Sequence, residues 1–327
     1  MTEVGLGLRG DLPPAAYREL GAAAEAGGFD VLSVFGDLGF GLPLPGLLLA
    51  AMETTRIRLG PACLNPYTTH PVEIAGQMAA LDHLSGGRSY LGLARGAWLE
   101  QAGLETPRPV RTIREAHEVV SRLLAGDDRG FEGLVYHLEP GLRLHQPVLR
   151  PAVPLMIGTW GEKLTELAAV IADELKVGGS ASPAMAALAR ARLGKARTAV
   201  VMGAVTVVDE DGSRARQAAK ADLAMYLDVV GGLDPSGGVD PDLLSQLRKL
   251  MKAGDRAAAA ALIPDDVLRR YAFAGTSGDV AGKTEELFAA GVLRVEFGLP
   301  LGVDGVAKGL QLLSREVLPR LPGHIRH

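Results

Sequence analysis

The sequence predicts an α/β fold, a single closed (β/α)8 barrel carrying two insertions, and three observations predict it. Short aliphatic or β-branched runs alternate with longer helical patterns along the whole chain. Eight consecutive strand–helix units can be counted, more than an open doubly wound sheet, the competing reading, ordinarily needs. With 327 residues, 47% hydrophobic and 22% charged, the chain can bury one large core as one domain.

The first strand is expected at 4–8 and its helix at 13–26, opened by Asp11 and the prolines after it and closed by Gly27-Gly28. A strand at 31–34 precedes a helix at 44–54. The third unit takes 57–64 and 71–84, ending at Gly86-Gly87, and the fourth takes 89–93 and 112–124. Units five to seven follow at 154–158 with 162–172, 174–177 with 183–193, and 199–208 with 213–226. The eighth pairs 292–297 with 303–317. Two stretches fall outside the repeat. Residues 126–150 contain Phe131, Leu134, Tyr136 and Leu138 and are expected to form a hairpin. Residues 231–275 hold helical segments at 242–252 and 265–271 behind a start rich in glycine. They are expected to form either a lid over the barrel mouth or ordinary surface packing.

Composition removes several function classes. Lys+Arg 34 against Asp+Glu 38 leaves a net charge of -4, which argues against a nucleic-acid partner. Cys63 is the only cysteine, so neither an internal disulfide nor a cysteine zinc site is expected. The most apolar stretch, 42–52, is short and holds two prolines, so no membrane span is expected. The first ten residues show no apolar leader run, and a cytoplasmic location is expected. His70, His83, His117, His137 and His145 have no metal-ligand spacing, and His324 and His327 belong to the tail, so no metal is expected.

In such a barrel the chemistry sits at the C-terminal ends of the strands. That rule selects Arg9, Asp37, the group Ala62, Cys63 and Asn65, and the group Arg95, Gly96, Ala97 and Trp98. It also selects Gly158, Thr159, Trp160 and Gly161 after strand five, Gly178, Gly179 and Ser180 after strand six, and Gly298, Leu299 and Pro300 after strand eight. Two of these turns are glycine-rich and lead into helices, an arrangement that suits a phosphate but also serves ordinary turn geometry.

The third and fourth units carry a more specific pattern. They read Leu59-Gly60-Pro61-Ala62-Cys63-Leu64-Asn65-Pro66-Tyr67-Thr68-Thr69-His70-Pro71, then Leu81-Asp82-His83-Leu84-Ser85-Gly86-Gly87-Arg88, then Leu91-Gly92-Leu93-Ala94-Arg95-Gly96. With Val295-Glu296-Phe297-Gly298-Leu299-Pro300-Leu301-Gly302 near the end, this resembles the bacterial luciferase-like superfamily. Within it, the chain is similar to the branch of methylenetetrahydromethanopterin reductase, which uses the deazaflavin hydride carrier coenzyme F420. The likeness runs from the first strand to the last helix and is densest over 57–104.

The resemblance implies a non-prolyl cis peptide at Ala62–Cys63, supporting one face of the cofactor ring. Cys63 is otherwise a buried small hydrophobe. It makes Asp37 the acidic group beside ring or substrate, with Leu38 where a histidine is usual; otherwise Asp37 caps a turn before Gly39. Asn65 would meet the carbonyl edge of the ring, or form an Asx turn before Pro66. Gly158, Thr159, Trp160, Gly161, Gly178 and Gly179 would surround the cofactor phosphate, although Trp160 could simply pack. Arg95 and Gly96 would hold the cofactor or an anionic substrate, unless Arg95 forms a structural salt bridge. Arg9, Trp98 and Glu100 fall on the substrate side, with solvation the competing fate of Glu100. Gly7 and Ala97 stand where the pterin reductases carry carboxylates, so that reaction itself is not expected.

The implied activity is hydride transfer between F420 and a small organic substrate. The alternatives are an FMN-dependent monooxygenase of the same fold, and a cofactor-binding protein without turnover. The resemblance also implies a homodimer.

Overall fold

Strands buried on both faces read as near-continuous apolar runs, and the runs at the head of each unit become the staves of a parallel barrel. In the computed structural model, which describes residues 2–323, they start with β1 (Glu3–Arg9), β2 (Val31–Phe35), β3 (Arg58–Pro61) and β4 (Leu91–Ala94). The short strands β5 (Phe131–Glu132) and β6 (His137–Leu138) pair antiparallel as a hairpin within 126–150. The remaining strands are β7 (Leu155–Gly158), β8 (Glu174–Gly178), β9 (Ala199–Val208), β10 (Ala272–Gly275) and β11 (Val292–Gly302). The wall runs β3-β2-β1-β11-β9-β8-β7-β4. Parallel bridges Leu59–Ser89 and Leu64–Leu93 close it between β3 and β4.

The helices are α1 (Pro14–Gly27), α2 (Pro43–Met52), α3 (Pro71–Leu84), α4 (Pro109–Leu124), α5 (Glu162–Ile171), α6 (Pro183–Leu193), α7 (Gly212–Val230), α8 (Pro241–Lys252), α9 (Arg256–Leu262), α10 (Asp265–Tyr271), α11 (Ser277–Ala289) and α12 (Val306–Leu312). Local chemistry sets their ends. Proline occupies the first turn of α1 to α4, where its missing N–H costs nothing, and Gly28 closes α1 at φ 90. His70 caps α3 through Val72 N–H, Ser182 caps α6 through Met185 N–H, and Asp211 caps α7 through Ser213 N–H.

Four readings need correction. Gly298, Leu299 and Pro300 lie inside β11 rather than after it, at a register shift where Leu299–Pro300 is cis. The last helix stops as α-helix at Leu312 and continues as a π turn over Leu313–Val317. Neither β10 nor α11 was expected. β10 is four residues, Ala-Phe-Ala-Gly, too short to show alternation, and the glycines at 278 and 282 dilute the apolar stripe of α11. The capping box of Thr276 and Asp279 was the signal available for α11.

β10 has a particular place. One edge of β9 pairs with β11 along its length, while the other is shared: β8 takes Ala199 to Gly203 and β10 takes Val205 to Val208. The helices α8, α9 and α10 pack on α7 as a second apolar cluster including Leu223, Leu227, Leu244, Leu247, Ile263 and Leu268. Among the described residues no helix is long and apolar enough to cross a membrane, and no cluster of His, Cys, Asp or Glu could hold a metal. His324 and His327 lie outside the described residues.

Candidate active site

The C-terminal strand ends meet around one cavity of about 640 Å³. Small residues hold it open because they stand level with one another: Gly7 is paired with Gly298, Ala94 with Gly158, and Gly178 with Gly203. Arg9, Asp37, Ala62, Cys63, Asn65, Arg95, Gly96, Trp98, Gly158, Thr159, Trp160, Gly161, Gly178 and Gly179 all line it. Glu100 does not. Trp98 takes a left-handed conformation, φ 58, and the 3-10 turn after it buries Leu99 and leaves Glu100 exposed.

The bond Ala62–Cys63 is cis and non-prolyl. Cys63 sits so close to Gly158 that a Cβ there would fall 2.8 Å from Sγ. Burial pushes the thiol up to about 12, against the pull of Lys176, so it stays protonated and is no nucleophile. Asn65 does form the Asx turn, its Oδ1 accepting from Tyr67 N–H at 2.8 Å. Its amide nitrogen packs against Gly96, where a Cβ would come within 2.1 Å.

The two glycine turns differ in what they offer an anion. The N–H of Gly161 donates to Thr159 Oγ1 at 2.9 Å, and that of Gly179 to the Gly203 carbonyl at 2.6 Å. Those two donors are spent within the protein. The first turn of α5 has no side-chain cap, and Gly161, Glu162, Lys163 and Leu164 line the cavity. The anion-favouring end is therefore that of α5, with Lys163 beside it. Trp160 ties the turns together, its Nε1 donating to the Gly178 carbonyl at 3.0 Å. A Cβ added at Gly178 would meet nothing within 4 Å, which leaves the space over this turn free for a ligand.

Asp37 follows β2 at the cavity wall, and among the described residues no hydrogen bond reaches its carboxylate. Burial pushes its pKa up to about 6, opposed by Lys176, so it exchanges its proton near neutrality. Arg95 is exposed at the rim and finds no ion-pair partner among the described residues, which removes the salt-bridge alternative. Arg9 pairs with Asp11 at 3.2 Å. Trp98 lies between Phe40 and Tyr226, with ring centroids 6.5 and 6.2 Å away.

Sequence reasoning missed the barrel floor. Lys176 and Glu296 line the cavity from below and are ion-paired. Glu296 also accepts from Ser33 at 2.7 Å and from Arg294 at 2.9 Å. Arg294 is clamped on both oxygens of Glu174 at 2.6 and 2.7 Å, and Arg58 joins Glu174 to Glu3. Burial would raise the Glu296 pKa, yet Lys176 and Arg294 bring it down to about 2. The signal was there: Glu174 and Lys176 alternate with Leu175 and Val177, and Arg294 and Glu296 with Val295 and Phe297. In a barrel whose outer face is covered by helices, the charged set of such an alternation faces the interior. Phe35, Tyr226 and Tyr271 were also missed as lining residues.

Comparison with known proteins decides the family. The model of the luciferase-like monooxygenase family matches residues 1–294. The chain belongs to that family. It is similar to the 5,10-methylenetetrahydromethanopterin reductase of Archaeoglobus fulgidus, 29% identical with 95% of this chain and 98% of the relative covered. The enzyme of the same name from Methanopyrus kandleri is also 29% identical, with 98% and 99% covered. The solved structure of the coenzyme F420 dependent tetrahydromethanopterin reductase from Methanopyrus kandleri superposes with a TM-score of 0.88, at 26% identity, covering 98% of this chain and 99% of that one. The chain is thus an oxidoreductase of the luciferase-like superfamily, built as a luciferase-like barrel.

Proposed function

We propose that this luciferase-like protein is a coenzyme F420-dependent oxidoreductase whose substrate is a small organic molecule other than methylenetetrahydromethanopterin. Its relatives named for F420 support the cofactor. The cavity fits a tricyclic ring and a phosphate: it holds the small residues Ala62 and Cys63, an open space over Gly178, and the uncapped first turn of α5. The observation that carries the substrate reading is at Gly7. A Cβ there would fall 2.7 Å from the Phe35 ring, so Phe35 occupies the space into which the carboxylate of the pterin reductases would project. Ala97 supplies no replacement at the cavity wall.

When bound, the deazaflavin supplies a carbon that gives or accepts hydride. The protein's share is orientation and proton handling. Ala62 and Cys63 offer the flat surface for the ring, and Lys163 with the α5 N-terminus favours the phosphate. Asp37 takes or returns the substrate proton at its carboxylate oxygen. Phe35, Trp98 and Tyr226 keep the site apolar and limit water.

Equilibrium titration of the purified protein with F420 and with FMN in parallel tests this. A preference for F420 of tenfold or more, about 1.4 kcal/mol, is expected. A preference for FMN moves the reading to an oxygen-using monooxygenase, the activity for which the family is named. F420 binding without turnover of any carbonyl, imine, activated alkene or quinone leaves a binding protein.

A further inference from the structure

Lys176 holds more donor capacity than the protein uses. Its side chain is 7% exposed, yet the Glu296 carboxylate is the one hydrogen-bond acceptor its Nζ meets among the described residues. An ammonium carries three donors, and leaving a buried charge short of partners is costly. The Phe35 ring, its centroid 5.8 Å from Nζ, shields one side. Lys176, like Phe35, lines the cavity.

Glu296, for its part, does not depend on Lys176 to be held. Arg294 and Ser33 reach it independently, and Arg294 is fixed from behind by both oxygens of Glu174. The clamp therefore anchors the carboxylate first, and the carboxylate anchors the lysine. Such a chain of support presents a cation at a defined point facing a cavity. That point is beside Cys63: Lys176 is paired in register with Gly158, and Gly158 abuts Cys63 Sγ.

Hydride transfer creates a charge for such a cation to meet. The substrate C–H bond breaks with its electron pair, and a new C–H bond forms on the carrier. The substrate's second proton leaves to a base. The carrier has gained two electrons and one proton, so it is one unit more negative until a second proton arrives. We propose that Lys176 is a cofactor-binding residue selective for that reduced state, with Glu296 as its positioning residue. This rests on the F420 reading above.

The test is equilibrium binding of oxidised and of chemically reduced F420, titrated separately under anaerobic conditions. Lys176→Met is expected to weaken reduced F420 at least tenfold and oxidised F420 less than threefold. Lys176→Arg keeps the charge and is expected to restore the wild-type ratio within about threefold. Circular dichroism checks that each variant is folded. If the single methionine variant fails that check, K176Q with E296Q removes both charges of the pair and is expected to show the same selective loss. Equal losses for both redox states, or no loss for either, would overturn the assignment. Failure of the wild-type protein to bind F420 in any state would instead remove the functional reading, and this inference with it.

Discussion

The floor and the mouth of the barrel are built on opposite principles. On the floor, three cations and three carboxylates, Arg58, Lys176 and Arg294 with Glu3, Glu174 and Glu296, join in one ion-pair network. At the mouth, the Asp37 carboxylate and Arg95 guanidinium make no hydrogen bond or ion pair among the described residues, and Tyr226 Oη is buried without a hydrogen bond. Both regions are polar, but the floor is paired within the protein, with Lys176 keeping spare donors where it lines the cavity. Interior charge here is a structural device with a single face turned to the cavity, whereas rim polarity waits for a ligand. Satisfaction of polar groups, rather than their number, separates scaffold from site.

The largest expected effect is on the floor. Arg294→Met leaves buried Glu174 with only the half-exposed Arg58 and takes a partner from Glu296, so it should cost roughly 3–5 kcal/mol in guanidinium unfolding. A loss below about 1 kcal/mol would mean that the network is not the support it looks like. Next comes the mouth. Gly178→Val projects into open space, so the melting temperature should stay within a few degrees while F420 affinity falls tenfold or more. A stability loss without a binding loss would reverse the assignment of that turn.

How much of this contrast could be read beforehand follows from its physics. Strand ends are marked by loop residues, so the rim was legible: Arg9, Asp37, Asn65 and the glycine turns line the cavity. The floor was written as polar residues inside apolar strands, Lys176 in Glu-Leu-Lys-Val and Glu296 in Arg-Val-Glu-Phe, which reading a strand simply as an apolar run passes over. Tyr226 was harder, because it belongs to the helix α7 and reaches the mouth only through tertiary packing. The occupied N–H groups of Gly161 and Gly179 depend on contacts that spacing does not encode.

Asp37→Asn sharpens the comparison in two ways. The pH profile of kcat/KM should lose an inflection near pH 6. In the native protein the Asp37 pKa is raised, so its stabilising contribution is full below the unfolded-state value near 4 and lost as pH rises through about 6. The asparagine variant should therefore be more stable than wild type above pH 6, by on the order of 1 kcal/mol, with the gap closing toward pH 4. Chemical denaturation at pH 4 and pH 8 would check the sign. The smallest effect belongs to Tyr226→Phe. Removing an orphaned hydroxyl should leave unfolding stability unchanged or raise it by up to about 1 kcal/mol. A clear loss would reveal a partner for that hydroxyl.

The shared edge of β9 makes one part of this molecule exchangeable. Because β10 completes the wall where β8 stops, and Tyr271 before it lines the cavity, the stretch 265–275 belongs to the barrel as much as to the insertion. The helices α8 and α9 are different: they pack on α7 and on each other and contribute no residue to the cavity lining. For protein engineering, that makes 239–262 a cartridge with a defined socket. Another helical pair could be grafted between α7 and α10 without replacing any residue that lines the cavity, while the staves and their register stay as they are.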